Sequence, residues 1–263
     1  MRPAGRLVDA VQVSRSSILL DGAEFSGREG GRARRRSGSR EIMRVPPGDY
    51  RQDQLIARLS RLWKDESDPV LLANMIRVLD GRYDLAGKAS RERGVEDVIT
   101  QMIGRLANSF ARPSGIEGKM ILDIACGSNT SRAPASLHLG TPFGQVRIGR
   151  STRGYAAQFE PWFCRILFEL GAKPVGVDSG DLEHEVFTHY RVDLGQEGAL
   201  DFLSSRSFDA IQDSRLFGSP EFTARFPDQA DRLKVAQEIR RQEQRLLKTG
   251  GIIIHSDATA LLK

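Results

Sequence analysis

With 263 residues, 40% hydrophobic and 28% charged, the chain has an ordinary globular composition and room for one sizeable α/β domain plus a smaller appendage. Its longest aliphatic runs, such as Ile252 to Ile254, fall far short of the roughly 18 residues of a membrane span, and no apolar stretch of signal-peptide length opens the chain, so the expectation is a cytoplasmic protein that does not enter the membrane. Cys126 and Cys164 are the only cysteines, in no metal-ligand spacing and too few for a disulfide framework, so two free thiols and no metal are expected.

The formal net charge of +5 sits mostly at the start, where residues 1–42 hold nine Arg against five acids. Within this segment Arg28 to Arg40 is a Gly/Ser/Arg run without apolar periodicity. Such a run cannot bury enough surface to offset its ordering entropy, so residues 1–42 are expected to be disordered. Arg clusters neutralise phosphates, which makes contact with RNA or an acidic partner through residues 28–40 one reading. No aromatic side chain interleaves to stack on bases. A solvated tail, or a leader ahead of a start at Met43, is the plainer reading and the preferred one.

From Asp49 to Phe110 apolar residues recur at helical spacing: Leu55, Leu59 and Leu62, then Val70, Leu71, Met75 and Val78, then Val98, Ile99, Met102, Ile103 and Leu106. Three or four helices are predicted, forming a helical N-terminal unit over 43–115. Asp68-Pro69 opens the second with Pro in its first turn, and Gly87 to Gly94 reads as a polar break. Residues 111–115 link to the next unit, 116–263.

That unit starts with a short apolar run, Met120 to Leu122, which reads as a buried strand. It runs into Asp123 and then the small residues Ala125, Gly127 and Ser128, which allow a tight turn and close backbone approach by a ligand. Asn129 to Gly154 is rich in Gly, Ser, Thr and Pro and carries four Arg and no acid. It is either a basic lid beside a ligand or a solvated insertion, with Val146 to Ile148 a short strand inside it. Tyr155 to Gly171 is predicted as a crossover helix with Phe159, Trp162, Phe163, Ile166, Leu167 and Leu170 on one face. Lys173 to Asp178 is the second strand, and the acid ending it could accept hydrogen bonds from both hydroxyls of a ribose. His189 to Leu194 is the third, close enough to the second that any helix between them, around Leu182 to Phe187, has one or two turns. Asp193 is then either a ligand contact or the cap of a helix over Gly195 to Leu203, and His184 and His189 read as surface residues. Phe208 begins the fourth strand, which leads to the polar residues Asp213, Ser214 and Arg215. An amphipathic helix over Asp228 to Lys248 stops at Thr249-Gly250-Gly251, and Ile252 to His255 makes the fifth strand.

Taken together, Lys119-Met-Ile-Leu-Asp-Ile-Ala-Cys-Gly-Ser128, the terminal acid Asp178, the Phe208-Asp209 opening and Leu246-Leu-Lys-Thr-Gly-Gly251 resemble, in order, the motifs of the class I S-adenosyl-L-methionine (SAM) dependent methyltransferases. The resemblance covers Gly118 to Ala258, with Thr249 in place of the family's Pro. It implies an α/β, doubly wound, Rossmann-like methyltransferase sheet of order 3-2-1-4-5, with helices on both faces, a helical N-terminal cap and no sequence for the family's sixth and seventh strands. It also implies SAM as cofactor. Asp123, Ala125, Cys126, Gly127 and Ser128 would form the loop beside it, Asp123 helping to hold its amino acid end, often through water; Asp178 would hold the ribose, and Asp193 with Leu194 would meet the adenine. The loop after the fourth strand would face the transferring methyl group, which makes Asp213, Ser214 and Arg215 the catalytic-side candidates. A dinucleotide site fits less well, because it needs several glycines and an acid about 20 residues on, whereas the turn from Asp123 to Ser128 offers one Gly and Asp178 follows Asp123 by 55 positions. The implied activity is methyl transfer to a small-molecule acceptor, with a carboxylate or phosphate on it suggested by the four Arg of the insertion. Two alternatives stand beside it: a non-catalytic or truncated SAM-binding or interaction module, and an RNA methyltransferase using the Arg-rich arm.

Overall fold

The computed structural model describes residues 48–63, 68–91, 95–128, 138–141, 144–147, 160–180, 182–213, 216–217 and 219–263. The Arg-rich segment 1–42, most of the 129–154 insertion, and Ser214 and Arg215 lie outside the described residues.

Strand β1 (Met120–Ile124) is flanked on both sides by parallel partners. A short antiparallel hairpin, β2 (His138–Thr141) and β3 (Gly144–Arg147), lies within the expected insertion, its second strand close to the one foreseen there. The main sheet continues with β4 (Lys173–Asp178), β5 (Thr188–Arg191), β6 (Phe208–Asp213) and β7 (Leu247–His255), all parallel, in the order β5-β4-β1-β6-β7. In chain order these five strands run 3-2-1-4-5, the Rossmann-like arrangement the sequence predicts. The central strands read as continuous apolar runs because both of their faces are covered. Side chains alternate between the faces: Ile121 and Ala210 enter one core, Leu122, Ile124 and Ile211 the other.

Four helices precede the sheet: α1 (Gly48–Ser60), α2 (Pro69–Tyr83), α3 (Leu85–Arg91) and α4 (Val95–Ser109). Asp68 caps α2, its carboxylate accepting from the Leu71 amide at 2.9 Å, with Pro69 at the first helical position. Of the expected polar break over Gly87 to Gly94, residues 87–91 are helical and 92–94 lie outside the described residues: α2 ends at Asp84 in the left-handed conformation (φ 52°) and α3 starts at once, its Ala86 amide held by Asp80 at 2.7 Å. Leu59, Leu72, Ile76, Leu79, Ile99, Ile103 and Leu106 share a single core with Trp162, Phe163 and Ile166 of the crossover helix α5 (Trp162–Glu169) and with the sheet. The helical unit is therefore built onto one face of the sheet, and the two cannot lose their apolar contacts independently.

Helix α5 begins at Trp162 with Pro161 at its N-cap and Glu160 in a bend before it, while Tyr155 to Phe159 of the predicted helix lie outside the described residues. The other face is covered by α7 (Gln229–Leu246), whose Ala236, Ile239 and Leu246 pack on Leu122, Val177 and Ile211. Two short helices were not foreseen, α6 (Pro220–Arg225) and α8 (Asp257–Leu261). Two expected ones do not form. The described residues between Leu182 and Phe187 make turns, with His184 at φ 72°, and Gly195 to Leu203 is a series of turns through Gly198 at φ 71°. A left-handed residue inside each stretch interrupts any helical run. Among the described residues no helix is long and apolar enough to cross a membrane, and no cluster of His, Cys, Asp or Glu could hold a metal ion.

Candidate functional site

The loops that leave β1, β4 and β5 at their carboxyl ends converge on Asp178. The ladder between β1 and β4 continues one bond beyond the strand, from the Cys126 amide to the Val177 carbonyl at 3.1 Å. The chain then turns sharply, with Ala125 at φ 58° and Gly127 at φ 94°. A left-handed Gly is unstrained, whereas a left-handed Ala costs energy and is held there by its surroundings. This turn aims the Gly127 amide at Asp178 Oδ2 (3.0 Å), while the Gly180 amide donates to Oδ1 (2.8 Å). Gly180 lies against Ser128 so closely that a Cβ there would collide with the serine side chain. The Val192 amide completes the convergence by donating to the Asp178 carbonyl at 2.7 Å. Thus Ala125, Cys126, Gly127, Ser128 and Asp178, spread over two separate stretches of sequence, form one small surface.

Asp123 lies beneath it, in register between Gly176 and Gln212 and only 1% exposed. Burial pushes its carboxyl up to about 8, so it carries a proton at neutral pH, and the Cys164 thiol and the Gln212 side chain interact with it. Its Oδ1 atom is enclosed without a hydrogen-bond partner among the described residues.

Asp193 follows β5, and its carboxylate is held by both guanidinium nitrogens of Arg225, the Nη2 contact being 2.8 Å, and by the Gly195 amide at 3.1 Å. The Arg225 bond holds its pKa below the usual carboxylate range. It therefore closes a turn and anchors α6, close to the capping reading, although the residues after it are turns and not a helix. Leu194 is 5% exposed and belongs to the core under α7.

Asp213, the described member of the catalytic-side trio, is fully buried at the end of β6. It accepts from the Ser256 hydroxyl at 3.1 Å and from the backbone amides of Asp257 and Ala258, the last at 3.1 Å, so it caps α8. Burial raises its pKa to about 6. The structure thus brings together the loop after β1 and Asp178, and commits Asp213 to the start of α8.

Sequence reasoning missed a buried charge cluster between the helical unit and the sheet. Arg165, on α5 and 1% exposed, donates to both oxygens of Glu185 (2.6 and 3.2 Å) and to Glu160 (2.5 Å). Lys88 of α3 grips Glu160 at 2.5 and 2.7 Å, and the Tyr83 hydroxyl of α2 donates to Glu185 at 3.3 Å. The guanidinium also lies over the Tyr83 and Trp162 rings, 3.9 and 4.6 Å from their centroids. Burial alone would lower the pKa of Arg165, and the two carboxylates more than offset it. The available signal was an Arg three residues after Trp162, on the apolar face of a helix. A cleft of about 520 Å³ opens beside this cluster, lined among others by Asp80, Tyr83, Lys88 and Arg165, and shares no residue with the loops around Asp178.

Comparison with protein-family models, with curated proteins and with solved structures finds no match.

Proposed function

We propose that this chain binds SAM at the carboxyl edge of its sheet and transfers the methyl group to a small-molecule acceptor. The observation that carries the reading is the bond from the Gly127 amide to Asp178, which joins the turn after β1 to the acid ending β4. Ligands of open parallel sheets bind at the carboxyl ends, where the strand order reverses, and here that point lies between β1 and β6. The residues suit the cofactor. A carboxylate has about four acceptor positions, so Asp178 can hold two backbone amides and still receive the hydroxyls of a ribose. Asp123, enclosed and protonated, would act from beneath by supporting the loop rather than by meeting the cofactor itself. Asp193, already occupied by Arg225, would take a hydrogen bond from the adenine only at the edge of its carboxylate, while Leu194 supports it from the core.

The cofactor would supply a methyl group on a sulfonium, an electrophile that needs little acid or base help once the acceptor is held in line. Positioning then does much of the work. The enclosure of Asp213 favours a second reading, a SAM-binding module without catalysis, since this acid is occupied by α8 and is not open to an acceptor. The RNA alternative rests on residues 28–40, which lie outside the described residues.

Calorimetric titration of SAM and S-adenosylhomocysteine into the wild-type chain and Asp178→Ala tests the site. Micromolar binding that weakens at least tenfold in a variant whose circular dichroism is unchanged is the expected result. A folded wild-type protein that binds neither compound would overturn the reading.

A further inference from the structure

Cys126 and Cys164 are the two sulfur atoms of the chain's only thiols, and they flank the basic insertion in sequence. The fold brings them together. Both are buried in one small cluster with Leu182 and Phe187. Gly176 of β4 forms the floor of that cluster: a Cβ placed there would stand 2.9 Å from Cys126 Sγ and 3.3 Å from Cys164 Sγ. Cys126 belongs to the turn after β1, where its Sγ meets the Gly127 carbonyl at 3.3 Å, and Cys164 belongs to α5, where its Sγ meets Asp123 Oδ2 at 3.7 Å. One thiol thus sits on the loop of the candidate site and the other on the helix behind it.

We propose that Cys126 and Cys164 are an oxidation site, forming a reversible disulfide that clamps the loop after β1 to α5. The oxidant is a peroxide. Cys126, 5% exposed against 0% for Cys164, reacts first. Its thiolate attacks one peroxide oxygen, the O–O bond breaks, and the departing oxygen leaves as water, giving a sulfenic acid. The Cys164 sulfur then attacks the sulfenic sulfur, the S–O bond breaks, and the hydroxyl leaves as a second water with the Cys164 proton. Two thiols are oxidised to one disulfide while one peroxide is reduced to two waters. Burial holds the Cys126 thiol up at about 11, so the first step is slow at neutral pH and accelerates as pH rises. Reversal needs a dithiol reductant.

Because the chain has only these two cysteines, an intramolecular disulfide has a single assignment. The full chain is treated with hydrogen peroxide while folded, then denatured, alkylated with N-ethylmaleimide and weighed intact. The expected species is about 2 Da lighter than the reduced chain, carries no label, and takes two labels after dithiothreitol. The oxidised form should also melt about 5–10 °C higher, because the bond closes a long loop in the unfolded chain. Two labels after peroxide, a covalent dimer, or oxygen added to the thiols without loss of 2 Da would each overturn the proposal. These masses do not depend on SAM binding, so the outcome is independent of the proposed function.

Discussion

Replacing Arg165 with Met tests whether the buried charge cluster holds the helical unit to the sheet. Arg165, Glu160 and Glu185 have side chains only 1%, 2% and 1% exposed, so the charges have little water to fall back on. The variant keeps much of the side-chain volume and removes the cation from both carboxylates. Glu160 retains Lys88, but among the described residues Glu185 retains only a hydroxyl partner in Tyr83 at 3.3 Å. Breaking a buried pair from one side costs about 3–5 kcal/mol, because a buried charge is left uncompensated. Loss of the guanidinium from the Tyr83 and Trp162 rings acts in the same direction, without simply adding, since the contacts share one group. Urea unfolding should therefore show a midpoint shift worth about 3–5 kcal/mol with little change in slope. Adding Glu185→Gln to Arg165→Met should recover part of that loss, because the orphaned charge is gone. A loss below about 1 kcal/mol, or no recovery in the double variant, would mean that the cluster is solvated in solution and refute the reasoning.

The pH dependence of stability should carry the mark of Asp123. Its folded pKa of about 8 stands far above the ordinary carboxyl value of 3.8, so the folded chain keeps a proton that the unfolded chain releases, and stability falls as pH rises from about 4 to 8. Asp123→Asn should flatten that fall, read as denaturation midpoints at pH 5, 7 and 8.5; an unchanged slope would place the proton elsewhere. Gly176→Ala should cost about 1–3 kcal/mol, since the new methyl group would lie 2.9 Å from both Cys126 Sγ and Phe187 Cε2. Gly81→Ala, with nothing within 4 Å of its Cβ and a helical backbone, should be neutral or stabilising by about 0.5–1 kcal/mol and serves as the control in the same melting experiment.

Several local elements were legible in the sequence because their causes are local. Apolar periodicity marked α1, α2, α4, α5 and α7 and apolar runs marked five strands, Asp68-Pro69 announced a capped helix start, and an acid after each of the first two strands marked the edge where loops converge. Even the strand order followed from the resemblance. Failures at short range also have local causes: left-handed residues at His184 and Gly198 kept two predicted helices from forming.

The direction taken by individual polar side chains was decided by the tertiary structure. Asp213 follows an apolar strand, as a catalytic-side acid would, yet its oxygens are claimed by backbone amides more than 40 residues downstream. Leu194 became core, and Asp193 was taken by Arg225 from a helix that periodicity did not reveal. Arg165 shows the reason most clearly: its partner Glu185 is 20 residues away and the Tyr83 that covers it precedes it by more than 80, so no local pattern pairs them. Periodicity specifies which face of an element is apolar. Which charge neutralises a buried charge, which thiol meets which, and how far desolvation moves a carboxyl depend on everything packed around the group, and that surrounding exists only in the folded chain.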